Sequence, residues 1–195
     1  MLGTQGVLLI LASRLVLGGV LGTRKEAAPS GQFGLYAYGK GIGGAQVFYS
    51  RDVAFIGDQT QMDDDEAAPV AFTTGPNNAL VGNPDMNSTR VFHPSWSDRA
   101  FFVPPPTSSS HRVGFTGRTA PPDVDADTSG FVFYGATALH QDADSTLHGL
   151  WYAVPAAPSG GAVWALRWNA TGDAGDGHVS VTLRSVAPAK PFGSA

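Results

Sequence analysis

The chain has 195 residues, with 12 Lys and Arg against 16 Asp and Glu, and it contains no cysteine. The absence of thiols excludes cysteine nucleophiles, thiolate metal sites and disulfides, so stability must come from packing alone. An acidic balance without a basic stripe excludes nucleic acid as a partner, because phosphate neutralisation dominates that affinity.

Two apolar runs open the chain, Val7–Leu11 and Leu15–Leu21. Neither reaches the roughly 20 apolar residues that span a bilayer as a helix, so no membrane span is predicted. Read together, they predict a signal peptide over residues 1–22 ending in Val20-Leu21-Gly22, with Arg14 as an interruption. The chain is therefore expected to be secreted. Loss of Arg14 with the leader leaves 11 basic residues (12 less one) against 16 acidic ones. Residues 23–31 read as a short linker, 32–190 as a single β domain and 191–195 as a flexible tail. About 170 mature residues suffice for one core that buries roughly 70% of the unfolded surface.

Within the domain, aromatic and β-branched runs alternate with glycine and proline. Phe33–Tyr38, Gln46–Tyr49 and Val53–Ile56 are predicted as strands of a β-meander. Asp63-Asp64-Asp65-Glu66 marks a solvated segment, and a long loop is predicted over about 58–90. Strand signals return at Arg90–His93 and Ala100–Val103. Pro104-Pro105-Pro106 and Ser108-Ser109-Ser110 then predict a second loop at about 104–111. Val113–Thr116, Phe131–Leu139, Leu147–Val154, Val163–Trp168 and His178–Arg184 come next, the last two with period-two alternation. About ten short strands at regular spacing predict an all-β, antiparallel, single-domain β-sandwich or barrel.

Gly39-x-Gly41-x-x-Gly44 matches the dinucleotide fingerprint but runs on into Val47-Phe48-Tyr49, which is strand sequence. A pyrophosphate needs a helix N-terminus at that point, so the match carries no cofactor. Asp123, Asp125 and Asp127 alternate like the opening of a calcium loop, but the later ligand positions of an EF-hand are missing. A looser Ca2+ turn is the only cofactor expectation, and a plain acidic loop is its alternative. His140, Asp142 and His178 have the order of an iron facial triad, yet turn residues surround them and surface histidines are the ordinary reading. No nucleophile elbow or metalloprotease helix occurs, so no catalytic residue is assigned. Asn87-Ser88-Thr89 and Asn169-Ala170-Thr171 are sequons, which makes Asn87 and Asn169 expected glycosylation sites.

Aromatic side chains remain as binding candidates. Tyr36, Tyr38, Trp96 and Trp151 are proposed as ligand contacts, with Trp96, in Pro-Ser-Trp-Ser-Asp, expected to be the most exposed. FGLYAYGKGIGGAQVFYSRDVAFIGD, GFVFYG, LHGLWYAVP, VWALRWN and VSVTLRSVAP together resemble a group of secreted proteins of filamentous ascomycete fungi. The resemblance runs from Gln32 to about Pro188, omitting Asp58–Arg90. It implies secretion and a compact β fold, and brings no activity and no catalytic residue.

The leading expectation is a secreted, non-enzymatic binding protein acting on cell-wall polysaccharide or an extracellular partner. One alternative is an effector or inhibitor of a host protein, acting through the two long loops. The other is a hydrolase with a loop-borne carboxylate site.

Overall fold

The computed structural model describes residues 28–87, 94–116, 126–156, 162–168 and 177–190. The predicted signal peptide and the strand predicted at Arg90–His93 lie outside them. The strands are β1 (Tyr36–Gly39), β2 (Ile42–Ser50), β3 (Val53–Gly57), β4 (Ala68–Thr74), β5 (Leu80–Pro84), β6 (Arg99–Phe102) and β7 (Gly114–Thr116). They continue as β8 (Phe131–Tyr134), β9 (Thr137–Gln141), β10 (Leu147–His148), β11 (Trp151–Pro155), β12 (Val163–Trp168) and β13 (Val179–Arg184).

Ten of these strands close into an antiparallel barrel in the order β1-β2-β4-β5-β6-β7-β3-β12-β11-β13, with β13 returning to β1. The β2–β3 hairpin also pairs with itself from Val47↔Ile56 to Ser50↔Val53. Strands β8, β9 and β10 are an annex: β9 joins the barrel through Thr137↔Arg184, and β8 and β10 flank it. The fold is thus all-β and single-domain, as expected, and the barrel is the alternative realised.

Local chemistry explains the connections. The β2–β3 turn holds Arg51 and Asp52 at φ 50° and 61°, the two left-handed residues of the tight turn that matches strand twist. Neither is glycine, and side chains hold the turn instead. Tyr49 OH donates to Asp52 Oδ1 at 2.9 Å, and the Arg51 guanidinium donates to the Asp63 carbonyl. Gly57, at φ 119°, lets β3 approach β12; a Cβ there would lie 1.9 Å from the Ala162 carbonyl oxygen. Gly44, the last residue of the fingerprint-like motif, sits within β2 beside an irregularity in β1–β2 pairing.

One sequence expectation is overturned. The segment over about 58–90, predicted as a loop, contains β4 and β5, which pair from Val70↔Pro84 to Thr74↔Leu80. Val70, Phe72 and Leu80 are fully buried there. The acidic run misled because it occupies only the entry: Asp64 accepts from Ser50 Oγ at 2.5 Å and from the Glu66 N–H. Apolar alternation begins directly after it.

The core is aromatic. Phe101, with no exposed surface, meets Phe72, Phe115 and Phe131 at ring-centroid distances of 5.4 Å each and Trp151 at 6.1 Å. These rings come from β4, β7, β8 and β11, so Phe101 ties distant strands of the barrel to the annex. Phe101→Ala should destabilise the fold by about 3–5 kcal/mol through lost burial and a residual cavity. Tyr134→Ala, at a residue 66% exposed, should stay within about 0.5 kcal/mol. Urea denaturation of the two variants distinguishes these outcomes.

Candidate functional site

The predicted aromatic contacts do not form a platform. Trp96 is 4% exposed, a correction to its expected exposure. Its ring stacks on Tyr49 at 4.4 Å and its Nε1–H donates to the Glu66 carbonyl at 2.9 Å, while the Glu66 carboxylate accepts from Ser95 N–H and Oγ. A loop-like sequence therefore buries its indole, because Glu66 fastens the loop over it. Trp151 is also buried, at 3% exposure, donating from Nε1 to the Ala138 carbonyl. Tyr36 and Tyr38 lie half-buried on β1. The Tyr38 hydroxyl donates to the Val186 carbonyl, and the Arg184 guanidinium lies 5.7 Å from its ring centroid. Burial, followed by the Asp85 charge, raises the Tyr36 pKa.

Asp123, Asp125 and Asn169 lie outside the described residues. Asn87 is exposed in the turn after β5, where its N–H donates to Asp85 Oδ1. Asp127 is described, and it leads to the site.

Asp127 exchanges both backbone hydrogen bonds with Val103, which places its side chain beside the start of the triproline loop. Oδ1 accepts from the Ser129 N–H at 3.2 Å and from its hydroxyl at 3.3 Å. Oδ2 lies 3.2 Å from His140 Nε2. His140 is 6% exposed. Its ring meets Phe131 and Trp168 edge-on, at 5.4 and 5.7 Å.

His140 on β9 stands directly opposite His148 on β10. Between them the chain turns through Asp142-Ala-Asp144-Ser-Thr146, whose Thr146 N–H donates at 2.9 Å to both Asp142 Oδ1 and Asp144 Oδ1. Asp142 Oδ2 meets His148 Nε2 at 2.8 Å. The Thr146 hydroxyl first, and then the contact with Asp142, hold the Asp144 carboxyl down at about 2.

These groups open on one cleft of about 610 Å³. Pro104, Pro105 and Pro106 form one wall, and Leu150 and Trp168 supply apolar surface. Asp127, His140, Asp142, Asp144 and His148 supply the polar groups, with Ala143 on the turn. Among the described lining residues there is no Lys or Arg and no Ser, Thr or Tyr nucleophile. Nor do any three His, Asp or Glu among the described residues stand where they could hold a metal ion.

The facial-triad order brings His140 and Asp142 together, but His178 packs on Tyr152 at 4.6 Å instead of lining the cleft. His148 takes the place beside them, and the expectation of surface histidines fails for His140. The signal lay in the symmetry of His140 and His148 about an Asx-turn sequence, which makes them cross-strand neighbours.

Burial lowers the His140 pKa, and the Asp127 carboxylate only partly opposes this. The unfolded chain takes up the proton near pH 6.5 and the folded chain only below it. The stabilising contribution is therefore complete above that pH and is lost as pH falls through the folded value. His140→Gln should flatten the decline in melting temperature between pH 7 and 5. An unchanged slope in the variant would contradict this assignment. Comparison with known proteins finds no matching family model, no matching curated protein and no matching solved structure.

Proposed function

We propose that the protein is a secreted, non-enzymatic binding protein and that the Asp127–His140–Asp142–His148 cleft is its ligand site. One observation carries this reading: carboxylates and imidazoles from separate segments converge on a single concave surface with apolar walls. Ligand pockets have this composition, apolar lining with a few placed polar groups that fix orientation. The leader sequence and the two sequons support an extracellular setting.

Between the two expected ligand classes, the burial of Trp96 and Trp151 weighs against polysaccharide stacking. An extracellular partner is the better occupant. The triproline loop suits that role, since its stiff backbone loses little freedom on binding.

A second reading, a hydrolase with a carboxylate site, draws on the meeting of Asp127 and Asp142 in one cleft. It is the weaker of the two, because each of these carboxylates already faces an imidazole and accepts N–H bonds.

Ala143 is exposed on the turn that lines the cleft, so Ala143→Trp should fill it without disturbing the core. Retention of extracellular proteins or cell-wall material on the immobilised full chain should be lost in this variant. Retention equal to wild type would place binding elsewhere. Glycoside turnover that stops in Asp127→Asn would favour the hydrolase.

A further inference from the structure

The outer wall of the barrel carries a second polar cluster, on the opposite face of β12 from Trp168. Val113, Leu166 and Trp168 point into the core, so strand alternation turns Arg112 and Arg167 outward. The two arginines face each other across an isolated antiparallel bridge. The Trp168 N–H donates to the His111 carbonyl at 3.0 Å. That bond flanks the bridge, which makes Arg112 and Arg167 a pair of the non-hydrogen-bonded kind, whose side chains start closest together. On its other flank Arg167 stands opposite Tyr152 of β11. Arg112, Arg167 and Tyr152 therefore form one outward row.

Like charges set directly opposite each other repel, and no carboxylate among the described residues offsets this pair. The ion pairs there are Arg99–Asp52, His140–Asp127 and His148–Asp142. Both arginines are half-buried. The Arg112 guanidinium carbon lies 5.5 Å from the centroid of the Phe102 ring, which covers one face of the group. Its Nε is closed to solvent without a hydrogen-bond partner, and so is out of a ligand's reach. The terminal nitrogens of Arg112, and every nitrogen of Arg167, are not closed off in this way. Burial raises the Tyr152 pKa and the Arg167 charge opposes it, so the guanidinium acts close to that phenol. Cations drawn partly out of water without a counter-charge are costly, and an anion shared between them replaces repulsion with attraction on both sides.

We propose that Arg112 and Arg167 form a site for the phosphate of a phosphomonoester, held by their terminal N–H groups with the Tyr152 hydroxyl donating beside them. Two guanidinium charges match the dianion that such a group approaches at neutral pH. Its three terminal oxygens accept a fork from each arginine and leave a lone pair for the hydroxyl. A carboxylate brings one charge and two oxygens, and compensates the pair less well. The site is separate from the cleft and does not depend on the cleft being a ligand site.

The test titrates the full chain with inorganic phosphate, glucose 6-phosphate, phenyl phosphate and acetate, followed by 1H–15N NMR. Ionic strength is held constant, because salt screens exposed charges. Probes are taken to about 10 mM, since a small anion buries little surface. Phosphate and both esters should saturably shift the Arg112, Tyr152 and Arg167 amides, with acetate weaker by about tenfold or more. Arg167→Gln keeps a polar side chain there and should weaken phosphate by about tenfold or more, with its spectrum otherwise unchanged. Phosphate should also raise the melting temperature of the wild type more than that of the variant. Acetate that binds as tightly as phosphate, or undiminished phosphate binding in Arg167→Gln, overturns the proposal. The acetate comparison needs only the wild type and decides without the variant. Binding of inorganic phosphate with rejection of both esters would overturn the monoester. Absence of shifts from every anion would remove the site.

Discussion

The structure depends on aromatic packing that does the work a disulfide does in many small secreted domains. Its decisive contact is the pair Trp151 and Trp168, directly opposed on β11 and β12 with ring centroids 4.6 Å apart at 70°. Edge-to-face pairs of this kind add about 0.5–1.5 kcal/mol beyond the area they bury. The pair's greater importance is positional. Trp151 reaches inward to Phe101 and outward to the Ala138 carbonyl of β9, while Trp168 reaches His140. Core and cleft therefore share Trp168, and Trp151 ties the core to β9 beside it.

That sharing gives the annex its order. Strand β9 has a single paired position with the barrel, Thr137↔Arg184, which is too little to fix a strand. Phe131, Phe133 and Trp151 supply the rest by burying the inner face of β8 and β9 against the core. His140 lies on that inner face by strand alternation, which is why a titratable ring is buried among Phe131 and Trp168. The cleft groups are then held from several directions: Asp127 by Val103 and Ser129, and Asp142 by Thr146 and His148. Groups held in this way need little further ordering, which is what the proposed binding role asks of them.

Much of the barrel was legible because period-two alternation is a local signal. Val163–Trp168 and the body of β13 could be assigned directly from it. β4 and β5 were obscured by the acidic run before them, whose charges are accommodated at a turn and say nothing of the strands beyond it. Trp96 shows the opposite failure: its Pro-Ser-Trp-Ser-Asp context is loop-like, and only a contact thirty positions back, at Glu66, buries it. The site was half legible. Asp127 and the His140–Asp142 pair could be singled out, but their meeting depends on the Val103–Asp127 bridge, a non-local contact that no spacing rule encodes.

The arrangement of the cleft turns on His140 being a neutral ring buried against Phe131 and Trp168 beside Asp127. Long-range 1H–15N NMR of the histidine side chains at neutral pH reads this directly. The expected spectrum is that of a neutral His140 imidazole, since burial lowers its pKa. An imidazolium at neutral pH would contradict it.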